Sequence, residues 1–292
     1  MIVDYITKIK GNISIYATKK TANILDGAYN SIFMGRSLNF EDLREYIPGD
    51  NVRDIDWKAS SRSRNLLVKR FVAEKKHNVM FVLDSGAKMS GHTAKLQDKN
   101  EVALTAMGTI AYLANKNGDN VGAIYTKGEM INFYPFKTGL YNIERILENY
   151  QHDVTKTKEQ SSLIRSIDYV ISHVPQRMIL FIITDEAGLA KIEDSHLKRL
   201  KFQHDVLVIK IGDTELTGGE SYSVNNDSYL PDFITNNKKL RNIELKMKKK
   251  QKEENERKLL RFGISSVDMD SNEDIIEKII ELLERHRHAN SH

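Results

Sequence analysis

Two unbroken apolar runs, at 79–83 and 178–183, limit what this chain can fold into more than any other feature of it. A strand with one face in water alternates polar with apolar residues; a strand covered on both faces is apolar throughout, as in a parallel sheet flanked by helices. Each run leads to an acid: Asp84 directly after the first, Asp185 after Thr184 in the second. Between them the period changes. Residues 101–115 space Val102, Met107, Ile110 and Leu113 for a helix, Gly118-Asp119 stops it, and 121–125 and 130–134 read as strands in a hairpin across Lys127-Gly128. Helices are expected at 141–150, 163–173 and 189–202, and strands at 178–184 and 206–211. Strands separated by helices give an α/β fold with a doubly wound, mostly parallel sheet.

The flanks are less regular. Residues 1–35 are mixed, with a short strand expected at 30–34. Residues 36–64 combine turn signals such as Pro48-Gly49-Asp50 with Phe40, Tyr46 and the only tryptophan, Trp57, so they read as a long ordered loop. An edge strand at 66–73 is expected to lead into the first buried run. Beyond 215 come a polar excursion at 216–233, a charged helix at 238–261, a short strand at 263–267 and an amphipathic helix at 274–286. The expected division is an N-terminal β and loop extension (1–75), a core (76–215) and a C-terminal region of helices (216–292).

With 292 residues, 40% of them hydrophobic and 29% charged, the chain can bury a sizeable core. It has no cysteine, which excludes disulfides, thiolate nucleophiles and thiolate metal sites and fits a reducing compartment. Polar residues interrupt every apolar run of the first twenty positions, and no run approaches the ~20 residues that span a bilayer, so a cytoplasmic protein without a membrane span is expected.

Basicity is local: residues 238–261 hold eleven Lys and Arg against four Glu, a net +7, which leaves the rest of the chain at −3. This stretch could meet nucleic acid or an anionic surface through its lysines. It has no aromatic residue to stack on bases and only sparse apolar positions, so a solvated helix, or one docked on an acidic partner, is the favoured reading.

Gly35, Phe40, Leu43, Arg44, Glu45, Tyr46, Pro48-Gly49-Asp50, Val52-Arg53, Ile55-Asp56-Trp57-Lys58, Ala59 and Arg62 together resemble the N-terminal block of the domain-of-unknown-function 58 family. Residues 79–89 resemble the first strand and loop of its von Willebrand A-like core. The resemblance covers roughly residues 30–215, and the PGD-x-x-R-x-I-D-W string is long enough to be specific. It implies a von Willebrand A, Rossmann-like fold, a MoxR-type AAA+ ATPase as partner, and a chaperone-like role in assembling or maturing complexes. No reaction is established for the family.

The resemblance also implies a metal-ion-dependent adhesion site. In it an Asp-x-Ser-x-Ser run ends the first parallel strand and meets a threonine and an aspartate from later loops. Oxygen ligands suit a hard dication, and loops converge at the carboxyl ends of parallel strands. Here the run is Asp84-Ser85-Gly86-Ala87-Lys88, so Gly86 and Lys88 stand where two hydroxyl ligands belong. Asp185 matches the later aspartate, and Thr138 is the candidate threonine. A degenerate site with no resident cofactor is expected, with Ser85, Ser90 and Thr93 as substitute oxygens for weak Mg²⁺ binding. Two readings of Lys88 stand side by side: a tethered cation between Asp84 and Asp185 that competes with a dication for the same carboxylates, or a lysine pointing into water.

Arg44, Asp50, Arg53, Asp56, Trp57 and Arg62 are the candidate partner-binding set, because tryptophan and arginine carry much of the energy at interfaces. The competing and preferred reading packs Trp57 against the sheet, with Asp50, Arg53 and Asp56 hydrogen-bonding the turn. No G-x-x-x-x-G-K-[ST], G-x-S-x-G or H-E-x-x-H occurs and the histidines are scattered, so no catalytic residue is assigned. The expected function is a non-enzymatic protein-binding adaptor. Nucleic-acid or anionic-surface binding through 238–261 is the alternative, and a divalent-metal hydrolase the weaker one.

Overall fold

A computed structural model describes residues 5–16, 24–29, 42–48, 52, 55–63, 65–70, 76–156, 162–214, 222–223, 228–229 and 237–289. The apolar runs form the centre of a six-stranded sheet. Its strands are β3 (Asn78–Leu83), β4 (Asn120–Lys127), β5 (Met130–Lys137), β6 (Ile179–Thr184), β7 (Asp205–Ile211) and β10 (Ser265–Met269), in the spatial order β10-β7-β6-β3-β4-β5. All neighbours are parallel except β4 and β5, a hairpin that turns at Gly128 with φ +55°. The fold is therefore doubly wound α/β with one antiparallel edge.

Helices cover both faces, which is why β3 from Val79 onward and β6 as far as Ile183 are unbroken apolar runs. Val79, Phe81 and Leu83 face α1 (Tyr5–Tyr16), α3 (Lys99–Lys116), α4 (Leu140–Lys156) and α9 (Ile275–Ala289). Met80 and Val82 face α5 (Leu163–His173), α6 (Glu186–Lys191), α7 (Asp194–Gln203) and Leu259 of α8 (Lys238–Arg261). A short α2 (Trp57–Ser60) and two antiparallel pairs, β1 (Asp42–Glu45) with β2 (Leu67–Arg70) and β8 (Tyr222–Ser223) with β9 (Ser228–Tyr229), lie outside the sheet.

Three expectations change. The strand expected at 66–73 exists as β2, but it pairs with β1 in a separate ribbon rather than forming the edge of the main sheet. The helix expected at 189–202 is two, α6 and α7, broken at Ile192 (φ −74°, ψ 118°). Leu189, Ile192, Leu197 and Leu200 are all fully buried, yet Ile192 and Leu197 are five residues apart, which one helix at 3.6 residues per turn cannot aim at the same side. The N-terminal mixture contains α1, which buries Tyr5, Ile6 and Ile9. The carboxylate of Glu144 on α4 caps it, accepting from the backbone N–H groups of Tyr5 and Ile6 at 2.6 and 2.8 Å. The strand expected at 30–34 lies outside the described residues, as does most of 216–233.

Candidate functional site

The parallel register decides which side chains meet. Leu83 pairs with Ile183, and the Asp84 N–H donates to the Ile183 carbonyl at 2.9 Å, so Asp84, Thr184 and Asp185 emerge together at the carboxyl ends of the two central strands. Both aspartates are 2% exposed. Asp84 Oδ2 accepts from Thr184 Oγ1 at 2.6 Å and Oδ1 from the Gly86 N–H at 3.3 Å. Asp185 is the N-cap of α6, its Oδ1 accepting from the Gly188 N–H at 2.7 Å.

A 3-10 turn, Ala87–Ser90, carries Lys88 back over Asp84. Its Nζ lies 2.7 Å from Asp84 Oδ2 and 2.8 Å from Asp185 Oδ1. From the other side Lys99, fully buried in the first turn of α3, places Nζ 2.9 Å from Asp185 Oδ2 and 3.4 Å from Asp213 Oδ1. Burial by itself lowers the pKa of Lys88, but the two carboxylates outweigh it and hold the ammonium above the ordinary lysine value. Burial pushes Asp185 up; Lys99, Lys88 and the Gly188 N–H overcome this and bring it to about 2. Tyr150, whose pKa burial drives far above the usual phenol value, donates its hydroxyl to the Asp84 carbonyl.

Gly188 makes the arrangement sterically possible. A Cβ there would lie 2.0 Å from Thr184 Oγ1, 2.5 Å from Lys88 Nζ and 2.6 Å from Asp84 Oδ2. A second ionic cluster borders the first. Lys210 on β7 contacts Asp268 at 2.8 Å and Glu186 at 2.9 Å, and Lys252 of α8 holds the other oxygen of Asp268 at 2.8 Å.

Of the residues expected to hold a metal, the sheet brings Asp84 and Asp185 together and sends Thr138 elsewhere. Because β5 runs antiparallel, Lys137 pairs with Val121 at the start of β4, which puts Thr138 at the amino end of the parallel strands. That is six strand positions, or roughly 20 Å, from Asp84. The substitute oxygens point away as well: Ser85 donates to the Thr126 carbonyl, Ser90 to that of Val154 at 3.1 Å and Thr93 to that of Asp270 at 2.7 Å. Two carboxylates bridged by the Lys88 ammonium, one of them also paired with Lys99, suit a buried ion-pair network and do not suit a dication, which wants several oxygens and no cation at contact distance.

Lys99, Thr184 and Gly188 were not singled out in the sequence. Lys99 had one usable signal: it directly follows the N-cap Asp98, where the partial positive charge of a helix start disfavours a cation unless an acid faces it.

The N-terminal block divides differently from the preferred expectation. Trp57 is 64% exposed rather than packed on the sheet, because it is the first residue of α2 and the ribbon turns Ile55 and Val68 inward instead. Asp56 caps α2, accepting from the Ala59 N–H at 2.9 Å. Arg44 is half-buried on β1, with Nη1 donating to the Glu45 carbonyl at 3.2 Å, and Arg62 is exposed just past α2. Asp50 and Arg53 lie outside the described residues.

With this geometry in view, the family described as Protein of unknown function DUF58 matches residues 42–243, more than half of the chain. The chain belongs to the DUF58 family. The uncharacterized protein Mb1516 of Mycobacterium bovis is 24% identical over 210 residues, covering 69% of this DUF58 chain and 63% of the mycobacterial protein. The chain thus spans under two thirds of that relative. The uncharacterized protein YeaD of Bacillus subtilis is 25% identical over 107 residues, 37% of this chain and 24% of YeaD. Among solved structures, the conserved hypothetical protein BatB from Bacteroides thetaiotaomicron is similar at TM-score 0.45 and 15% identity, covering 73% of this chain and 99% of that one. A von Willebrand factor type A protein from Catenulispora acidiphila is similar at TM-score 0.39 and 11% identity, covering 73% and 43%.

Proposed function

We propose that this DUF58 chain is a non-enzymatic, cytoplasmic protein-binding adaptor whose docking face, at the carboxyl ends of β3 and β6, works without a divalent metal. One observation carries the reading: Lys88 Nζ sits within 2.8 Å of both Asp84 and Asp185, so a tethered ammonium occupies the position between the carboxylates that the family resemblance gives to an ion. An adhesion site whose cation belongs to the chain is permanently charged and does not depend on metal supply. The exposed Trp57 and Arg62 offer a second contact region. The resemblance points to a MoxR-type AAA+ ATPase as the partner, in complex assembly or maturation. Among the described residues no helix is long and apolar enough to cross a membrane, which fits such a role.

Nucleic-acid binding through α8 has less support, since several of its cations serve the fold. Lys248 donates to the Thr214 carbonyl at 2.6 Å, Lys252 pairs with Asp268, Lys258 donates to the Ile192 carbonyl at 2.9 Å, and Arg261 pairs with Asp194 at 2.7 Å. The test is co-expression with the MoxR-type ATPase of the same genome, followed by affinity capture in EDTA. The ATPase is expected to co-elute with the wild type and to be lost with Ala187→Arg, which places a bulky charge at an exposed position of the face. Absence of the ATPase, or manganese-dependent hydrolysis of a generic phosphoester by the purified chain, would overturn the proposal.

A further inference from the structure

The second half of α8 packs along α6, and the side on which it does so is traceable. Gln251 donates to the Glu186 carbonyl at 3.4 Å and Lys258 to the carbonyls of Ala190 and Ile192 at 3.3 and 2.9 Å, so these two residues lie on the flank that looks at α6. Counting back in helical steps from Gln251, the packed side is continued by Lys248, which reaches the Thr214 carbonyl at 2.6 Å, and by Glu244, 13% exposed, while Met247, Ile243 and Leu240 line the edge beside it. There, however, α6 has already ended: its first residue is Glu186, the residue after Asp185. Residues 238–247 add about 15 Å of helix at 1.5 Å per residue. Their apolar stripe is 39%, 53% and 67% exposed at Leu240, Ile243 and Met247.

Around this stripe the charge is one-sided, with seven Lys and Arg and one Glu between 238 and 250. A helix with apolar anchors at i, i+3 and i+7 and a basic surround is the recognition element of helix-in-groove or helix-on-helix docking. We infer that the first half of α8 is an arm rising beside the docking face, and that arm and face together receive an acidic, amphipathic helix of a partner protein. The inference rests on the proposed docking face and adds the chemistry of what docks there. Charge complementarity selects an acidic partner, because a net +6 surface favours it by attraction and repels basic competitors. The apolar stripe selects protein over nucleic acid, whose phosphates give Leu240, Ile243 and Met247 nothing to bury against. The stripe flanks a folded face instead of pointing away from it, which suits a helix wedged between the two walls better than a bilayer.

The probe is a labelled three-heptad peptide with Leu at its apolar and Glu at its polar positions, titrated by fluorescence anisotropy into the full chain against a scrambled peptide, duplex DNA and phosphatidylserine vesicles. Both the triple variant Leu240→Glu, Ile243→Glu, Met247→Glu and the face variant Ala187→Arg change exposed residues, and circular dichroism checks that each remains folded. Each is expected to weaken peptide binding about tenfold or more. Loss with Ala187→Arg alone would overturn the arm and leave the docking face standing. Loss with the triple variant alone would overturn the docking face and the shared surface with it. No preference over the scrambled peptide, or tighter binding to duplex DNA or vesicles, would overturn the inference outright.

Discussion

Replacing Lys88 with serine removes the ammonium that touches both Asp84 and Asp185 while leaving each carboxylate some support. Asp84 keeps the Thr184 hydroxyl at 2.6 Å, and Asp185 keeps Lys99 at 2.9 Å and the Gly188 N–H at 2.7 Å. Breaking a fully buried pair by deleting one partner costs about 3–5 kcal/mol, and an exposed pair about 0–1 kcal/mol. The Lys88 side chain is 30% exposed over two carboxylates at 2%, so the expected loss lies between, at about 1–3 kcal/mol at pH 7. The same change opens a place for a dication. If Lys88→Ser binds Mg²⁺ with a Kd of about 1 mM, then about 10 mM Mg²⁺ should return roughly 1.4 kcal/mol, while the wild type should show no such gain. Urea unfolding of both proteins with and without Mg²⁺ measures both effects. A variant within about 0.5 kcal/mol of the wild type, and equally indifferent to Mg²⁺, would refute the reasoning and make Lys88 an ordinary surface lysine.

Lys99→Met should cost more than Lys88→Ser, about 3–5 kcal/mol by thermal or urea unfolding, because the Lys99 side chain is 0% exposed and Asp185 would lose one of its two ammonium partners. Gly188→Ala should destabilise by about 1–3 kcal/mol, since its Cβ would lie 2.0 Å from Thr184 Oγ1 and force the whole cluster to shift; a neutral result would mean that α6 gives way easily. Two acid limbs are expected in a stability–pH profile. His204, buried, has its pKa lowered by that burial to about 4 from 6.5, so the unfolded chain binds the extra proton and stability falls as pH drops from 6.5 to about 4; His204→Phe should abolish this limb. Asp185, at about 2 against 3.8, contributes about 2 kcal/mol that is fully present above pH 3.8 and lost as pH falls through 2; Asp185→Asn should abolish that one.

The centre of the fold was legible because β3 and β6 are covered by helices on both faces, and few settings besides a doubly covered strand tolerate an unbroken apolar run bounded by turns and acids. The pairing of Asp84 with Asp185 was legible for the same reason, since each acid ends one of two central strands. Thr138 misled because a threonine after a strand looks the same whichever way the strand runs; the hairpin that reverses β5 carries it to the wrong end of the sheet. Lys99 was hidden because the carboxylates that pair with it, Asp185 and Asp213, are both far away in the sequence. The start of α1 was hidden because its cap is supplied by Glu144, 139 residues from Tyr5. Trp57 was misjudged by the usual burial of tryptophan, which does not hold on a one-turn helix beside a two-stranded ribbon that has too little area to cover it.

If Lys88 is the cation of the site, a divalent ion should find no place between Asp84 and Asp185. Diffraction from crystals grown with manganese chloride, recorded for the manganese anomalous signal, tests it most directly. No anomalous peak is expected between Asp84 and Asp185, with the Lys88 ammonium bridging both carboxylates. A manganese peak bound by those two carboxylates, with Lys88 swung into solvent, would contradict it.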